Sequence, residues 1–232
     1  MILALAAAGL LVGATLPWLI ARIPDRVPAG DAPPPLPTPY RELARAPRLR
    51  LVLALATAVV WAVLGLAWPG WVAELPAYLL VSALGVAMSY VDLREHRLPD
   101  WLTLPALAAG AVALAAAAAA TGAWADYGRA WAGAGATTLF YLVLVLIRPA
   151  DLGLGDVKLA AAVGLLLGWL GWSFVVLGVF LAFVLGGLAG IVLLALRKAK
   201  RRTALPFGPF MLAGMLVAVV WGAPIIDAYL GR

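Results

Sequence analysis

From residue 172 to residue 196 the chain runs for 25 residues without one charged side chain. A helix crossing the hydrocarbon core of a bilayer needs about 20 mostly apolar residues. Inside lipid, its backbone N–H and C=O groups must find partners within the protein. Eight stretches are candidates: 2–20, 51–68, 75–91, 101–121, 129–147, 157–170, 172–196 and 207–221. The sixth is the shortest and the weakest as a full crossing. Residues of the AVILMFWYC set make up 65% of the chain, only 12% are charged, and mean hydropathy is +1.02. A soluble domain would lack the polar surface to face water at that composition, and a disordered chain is excluded by the same hydrophobicity. The expected fold class is an all-α membrane protein, a polytopic bundle of about eight transmembrane helices. It divides into a first helix over 1–20, a proline-rich connection over 21–50 and a membrane-embedded core over 51–232.

Lys and Arg collect in cytoplasmic connections. With the N-terminus outside, 15 of the 17 positive residues fall on one side, leaving Arg129 and Arg232 on the other. This asymmetry predicts eight crossings with both termini outside. It also accounts for the net charge of +6, because charges beside membrane spans set topology and meet anionic lipid. Nucleic acid is not an expected partner. The first apolar run has no positive residues before it, so a retained anchor is expected rather than a cleaved signal. Pro24, Pro28, Pro33, Pro34, Pro35, Pro37, Pro39 and Pro47 crowd the first connection and favour an extended tether. The run 111–120 is rich in alanine and reads as a helix packed inside the bundle.

The absence of cysteine and the single histidine, His96, rule out thiolate chemistry and make a histidine-based metal centre or triad improbable. Carboxylates, hydroxyls and Lys or Arg remain. Ionisable residues near membrane spans are functional candidates by default. Asp92, Glu95 and Asp100 share one expected cytoplasmic connection, and Asp151 and Asp156 share another. Asp92 closes the third span, where the negative end of the helix macrodipole disfavours a carboxylate; a bland alternative pairs it with Arg94 or Arg97. Asp100 reads as an N-cap and His96 as an exposed loop residue. In Gly153-Leu154-Gly155-Asp156-Val157-Lys158-Leu159, the glycines permit a sharp turn and a close approach. Asp156 opens a helix at its positive end, and simple N-capping is the alternative. Lys158 could meet the aspartates or a lipid phosphate. A third element, Pro206-Phe207-Gly208-Pro209-Phe210, starts the last span either as a plain helix entry or as irregular backbone lining a cavity.

In this order the three elements resemble the type IV prepilin leader peptidases, bacterial membrane aspartic proteases with a Gly-x-Gly-Asp signature. The resemblance rests on Asp92 followed by Leu98-Pro99-Asp100-Trp101-Leu102-Thr103-Leu104-Pro105, on the Gly153-to-Leu159 string, and on Pro206-to-Phe210. Arg22-Ile23-Pro24 matches the exit of that family's first helix. The resemblance implies that Asp92 and Asp156 are the catalytic pair, with Gly153, Gly155, Lys158, Pro206, Phe207, Gly208 and Pro209 shaping the site or binding substrate. It implies prepilin or pseudopilin-like substrates, cut after a glycine between a short basic leader and an apolar helix, at the cytoplasmic face of the bacterial inner membrane. Many members carry Cys-x-x-Cys pairs that bind zinc, in a region linked to S-adenosylmethionine-dependent N-methylation. This chain has none, so no cofactor and no metal is expected, and peptide cleavage is expected without methylation.

Two carboxylates about 3 Å apart cannot both ionise. One would take a proton from water while the other polarises the scissile carbonyl; helix ends favour Asp156 as base and Asp92 as acid. A groove between helices would admit the apolar segment, and Glu95 or Asp151 could attract the leader. Two other classes stay open. A proton-coupled transporter would also use glycine-rich breaks and interfacial acids, although the two halves show no inverted repeat. A presenilin-like protease would need Pro-Ala-Leu after the second aspartate, whereas Pro105-Ala106-Leu107 precedes it.

Overall fold

The computed structural model of the protein describes residues 1–25, 38–68, 70, 72–148, 152–197 and 205–231. The prolines between 28 and 37, Asp151 and the basic run 198–202 lie outside the described residues. Among the described residues there are helices and no strands. They are α1 (Ile2–Gly13), α2 (Leu16–Ile20), α3 (Tyr40–Leu43), α4 (Leu49–Ala67), α5 (Leu75–Glu95), α6 (Asp100–Thr121), α7 (Trp124–Ile147), α8 (Leu154–Leu170), α9 (Trp172–Ala195) and α10 (Gly208–Leu230). Seven stretches are long and apolar enough to cross a membrane, with α1 and α2 together forming the first. The chain is therefore a multi-pass, all-α membrane protein. The sixth expected span is α8, whose 17 residues make it shorter than the others.

Helix boundaries depart from the expected ones where charged residues still favour helix. The third span continues through Leu93, Arg94 and Glu95 and stops at His96, which adopts a left-handed conformation (φ 51°) while its N–H donates to the Asp92 carbonyl at 2.8 Å. Asp92 thus lies within the last helical turn. The sixth begins at Leu154, so Gly153 is the N-cap and Asp156 the third helical residue. Pro99, not Asp100, caps α6. Directly after Pro39 one helical turn forms as α3. It is tied down by Tyr40 N–H to Asp25 at 2.7 Å and by Tyr90 O–H to the Leu43 carbonyl at 2.9 Å.

Burial separates centre from periphery. Two-thirds of the α5 window (67%) is buried, against 17% for α9, and twelve of the α8 residues are buried. In a bilayer the lipid accepts an apolar face, and α9, without a charged side chain, is accordingly the outermost while the less apolar α5 lies inside. α5 packs on α6, α10 and α4, and α8 packs on α7, α6, α10 and α9. The α7–α8 hairpin is the tightest pair. A Cβ on Gly133 would lie 2.6 Å from the Gly164 carbonyl oxygen, so the backbones meet where side chains are missing, as small residues allow in membrane bundles. Thr137 donates to the Ala160 carbonyl at 2.8 Å, and Arg129 donates to the Gly168 carbonyl at 2.9 Å and to that of Trp169. The guanidinium thus satisfies carbonyls that the end of α8 would otherwise leave unpaired.

Candidate active site

Asp92 and Asp156 are buried, at 3% and 8% exposure. They approach from opposite helix ends, one from the C-terminal turn of α5 and one from the N-terminal turn of α8. Each is fixed by one carboxylate oxygen. The Asp92 Oδ2 accepts the Gly208 N–H at 3.0 Å. The Asp156 Oδ2 accepts the Gly153 N–H at 2.8 Å, and the Gly153 carbonyl accepts the Asp156 N–H at 3.0 Å. This closes a local ring at the helix start, related to a capping box.

Leu98 joins the two halves. A Cβ added to Gly155 would lie 2.8 Å from the Leu98 Cβ and 3.1 Å from its carbonyl oxygen. A Cβ added to Gly208 would lie 2.9 Å from the Asp92 Oδ2 and 3.2 Å from Leu98 Cδ1. The loop after α5, the start of α8 and the start of α10 therefore converge on one side chain, itself buried. Within this cluster the charge of Asp156 acts on Asp92.

The remaining sequence candidates separate clearly. Gly155 and Gly208 are needed for close approach. Gly153 is not, because its added Cβ would meet the Asp156 Oδ2 only at 3.6 Å, ordinary contact. Phe207 joins an aromatic cluster, 5.0 Å from Phe183 and 6.1 Å from Tyr141 between ring centroids. Pro209 sits in the first turn of α10 and lines a lateral groove; Pro206 precedes that helix, half-buried. Lys158 turns away from the aspartate pair: its Nζ pairs with Asp100 Oδ1 at 2.6 Å, both side chains about 40% exposed. Glu95 accepts the Thr38 N–H at 3.2 Å and lines a cleft with Glu42, Tyr90 and Arg94. His96 is exposed, as expected. The sequence reading missed Tyr141, buried beside Phe207.

Among the described residues, no group of three His, Asp or Glu side chains could hold a metal ion. Without cysteine the chain cannot form a thiolate-zinc site, so the residues present do not fit that metal.

A model of the type IV leader peptidase family matches residues 78–191, a stretch containing both aspartates, the Leu98 loop and the whole of α8. Over those residues the chain is similar to that family. It is 31% identical over 186 residues to a prepilin leader peptidase/N-methyltransferase of Pseudomonas aeruginosa, covering 80% of this chain and 61% of that protein. A protein of the same name from Aeromonas salmonicida is 35% identical over 187 residues (81% and 62%). One from Legionella pneumophila is 32% identical over 162 residues (70% and 55%). The chain thus spans about three-fifths of the length of the relatives it matches. No solved structure matches it.

Proposed function

We propose that the protein is a membrane aspartic endopeptidase that removes the short basic leader of prepilin-like proteins. The observation that carries this reading is the pair of buried aspartates, each fixed through one oxygen by a backbone N–H and each leaving its other oxygen for chemistry. In the proposed reaction one carboxylate, ionised, takes a proton from water as the water oxygen bonds to the scissile carbonyl carbon. The carbonyl electron pair moves onto oxygen, where the protonated partner donates a hydrogen bond. Collapse of the tetrahedral intermediate breaks the C–N bond, and the amine leaves with the proton of the second aspartate. Asp156 is the base and Asp92 the acid in this reading.

A lateral groove of about 190 Å³ between α4, α5 and α10 supports a membrane-bound substrate. Val60, Gly85, Ser89, Pro209, Leu212 and Leu216 are among its lining residues. Ser89 lies one helical turn before Asp92, and Pro209 follows the glycine that holds Asp92, so an apolar helix lying in the groove would deliver its end to the pair. In this reading the site lies at the cytoplasmic face of the bacterial inner membrane with both termini outside, which the one-sided distribution of positive charge supports. N-methylation is not part of the reading, because the thiolate zinc site linked to it has no residues in this chain. In a detergent-solubilised assay with a prepilin-like peptide, Asp92→Ala and Asp156→Ala should each abolish cleavage while the protein stays folded. Cleavage by either variant would refute the pair.

A further inference from the structure

The α7–α8 hairpin contains a ladder with a four-residue step. Arg129 bonds the carbonyl of Gly168. Gly133 meets Gly164 backbone to backbone. Thr137 bonds the carbonyl of Ala160. In each rung a step of four forward on α7 is matched by a step of four back on α8, as antiparallel helices in register require. Continued by the same step, the ladder brings Tyr141 level with Asp156.

Tyr141 is 2% exposed and its ring is packed on three sides, stacked on Phe183 at 5.9 Å and lying against Phe140 and Phe207. Its hydroxyl is different. Among the described residues it makes no hydrogen bond, yet no fully buried side-chain oxygen is left without a partner. The hydroxyl oxygen is therefore not completely sealed off. Buried tyrosine hydroxyls find partners, and leaving one unpaired costs about 1–3 kcal/mol. The charge of Asp156 acts on this phenol as it acts on Asp92.

We propose that Tyr141 is a third polar member of the site, a positioning residue whose hydroxyl holds the attacking water against Asp156. The water donates one hydrogen to the Asp156 carboxylate and the other to the phenolic oxygen. Its lone pair is then turned toward the carbonyl carbon, and the proton still passes to Asp156. This inference rests on the peptidase reading and adds a residue to it. A water held by one carboxylate alone can swing; a second anchor fixes its attack direction, which acts on the chemical step and not on substrate binding.

The test is the kinetics of Tyr141→Phe in the full-length protein, with a synthetic peptide carrying a short basic leader, a glycine and the first turns of an apolar helix. Phenylalanine keeps the ring against Phe183 and Phe207 and removes only the oxygen. The expected result is a kcat lower by about 10–100-fold with KM within about twofold, and a thermal midpoint equal to wild type. Tyr229→Phe, at a ring 88% exposed, is the control and should match wild type. Wild-type kcat in Tyr141→Phe would overturn the inference, as would a fall in kcat matched by a fall in thermal midpoint, which is what packing alone predicts. Asp92→Asn and Asp156→Asn belong in the same assay. If they are inactive while Tyr141→Phe is fully active, only the tyrosine assignment fails. If they still cleave, the peptidase reading fails and takes this one with it.

Discussion

Asp92 and Asp156 occupy one cluster but are held by opposite means. Asp156 takes its N–H from Gly153, three residues back in the same turn. Asp92 takes its N–H from Gly208, 116 residues further along the chain and on another helix. The first arrangement forms whenever the start of α8 forms. The second requires α5 and α10 to be packed in their final positions, with nothing larger than hydrogen at residue 208. One half of the site is built by local helix chemistry and the other by bundle assembly, so substitutions around them should fail differently.

The largest effect is expected where the comparison collapses: Asp92→Ala and Asp156→Ala remove the two halves, and each should lower peptide cleavage by ~10³-fold or more. Next is Gly208→Ala. The added methyl would meet the carboxylate oxygen and Leu98 at about the same time, so Asp92 must move; displacements of this kind cost on the order of 10²-fold. The check is cleavage rate in a variant whose spectrum and detergent elution are unchanged. Gly155→Ala should rank third. Its methyl would press on the Leu98 backbone, which cannot rotate away, and overpacking of this kind costs about 1–3 kcal/mol, read as a lowered thermal midpoint with reduced activity. Gly153→Ala is the sharpening control. At φ −98° and ψ 160° any residue is at ease, and activity should stay within about fivefold of wild type. A Gly153→Ala enzyme as damaged as Gly155→Ala would show that the local half is not as self-sufficient as its hydrogen bonds imply. The smallest effect belongs to Lys158→Met, which breaks an exposed ion pair worth about 0–1 kcal/mol.

How much of this was legible beforehand follows the same division. Residues 153–159 announce a turn and a helix start, and Asp156 lies there. The five apolar spans that coincide closely with α1–α2, α4, α6, α8 and α9 could be read because lipid demands length and hydropathy and little else. The ends of α5, α7 and α10 could not. Arg94 and Glu95 carry α5 on past Asp92, Trp124 to Gly128 lengthen α7, and α10 continues to Leu230; polar and charged residues are as helical as apolar ones once outside the hydrocarbon. For Lys158 the sequence leaves the aspartates and a lipid phosphate equally open. The helix turns it to the far face, where Asp100 waits. Tyr141 was passed over as one aromatic among many, although its signal was present: Arg129, Gly133, Thr137 and Tyr141 at steps of four, with Asp156, Ala160, Gly164 and Gly168 at the same step.

The sequence by itself determined that this chain is a helical membrane bundle and narrowed its possible reactive groups to carboxylates, hydroxyls and Lys or Arg. Bilayer thickness sets span length, and a chain without cysteine and with one histidine has few other reactive groups. Only the tertiary structure decided which glycine N–H holds Asp92, that Leu98 ties the two halves together, and which tyrosine comes level with Asp156. Those are meetings between helices distant along the chain, settled by how their surfaces interlock.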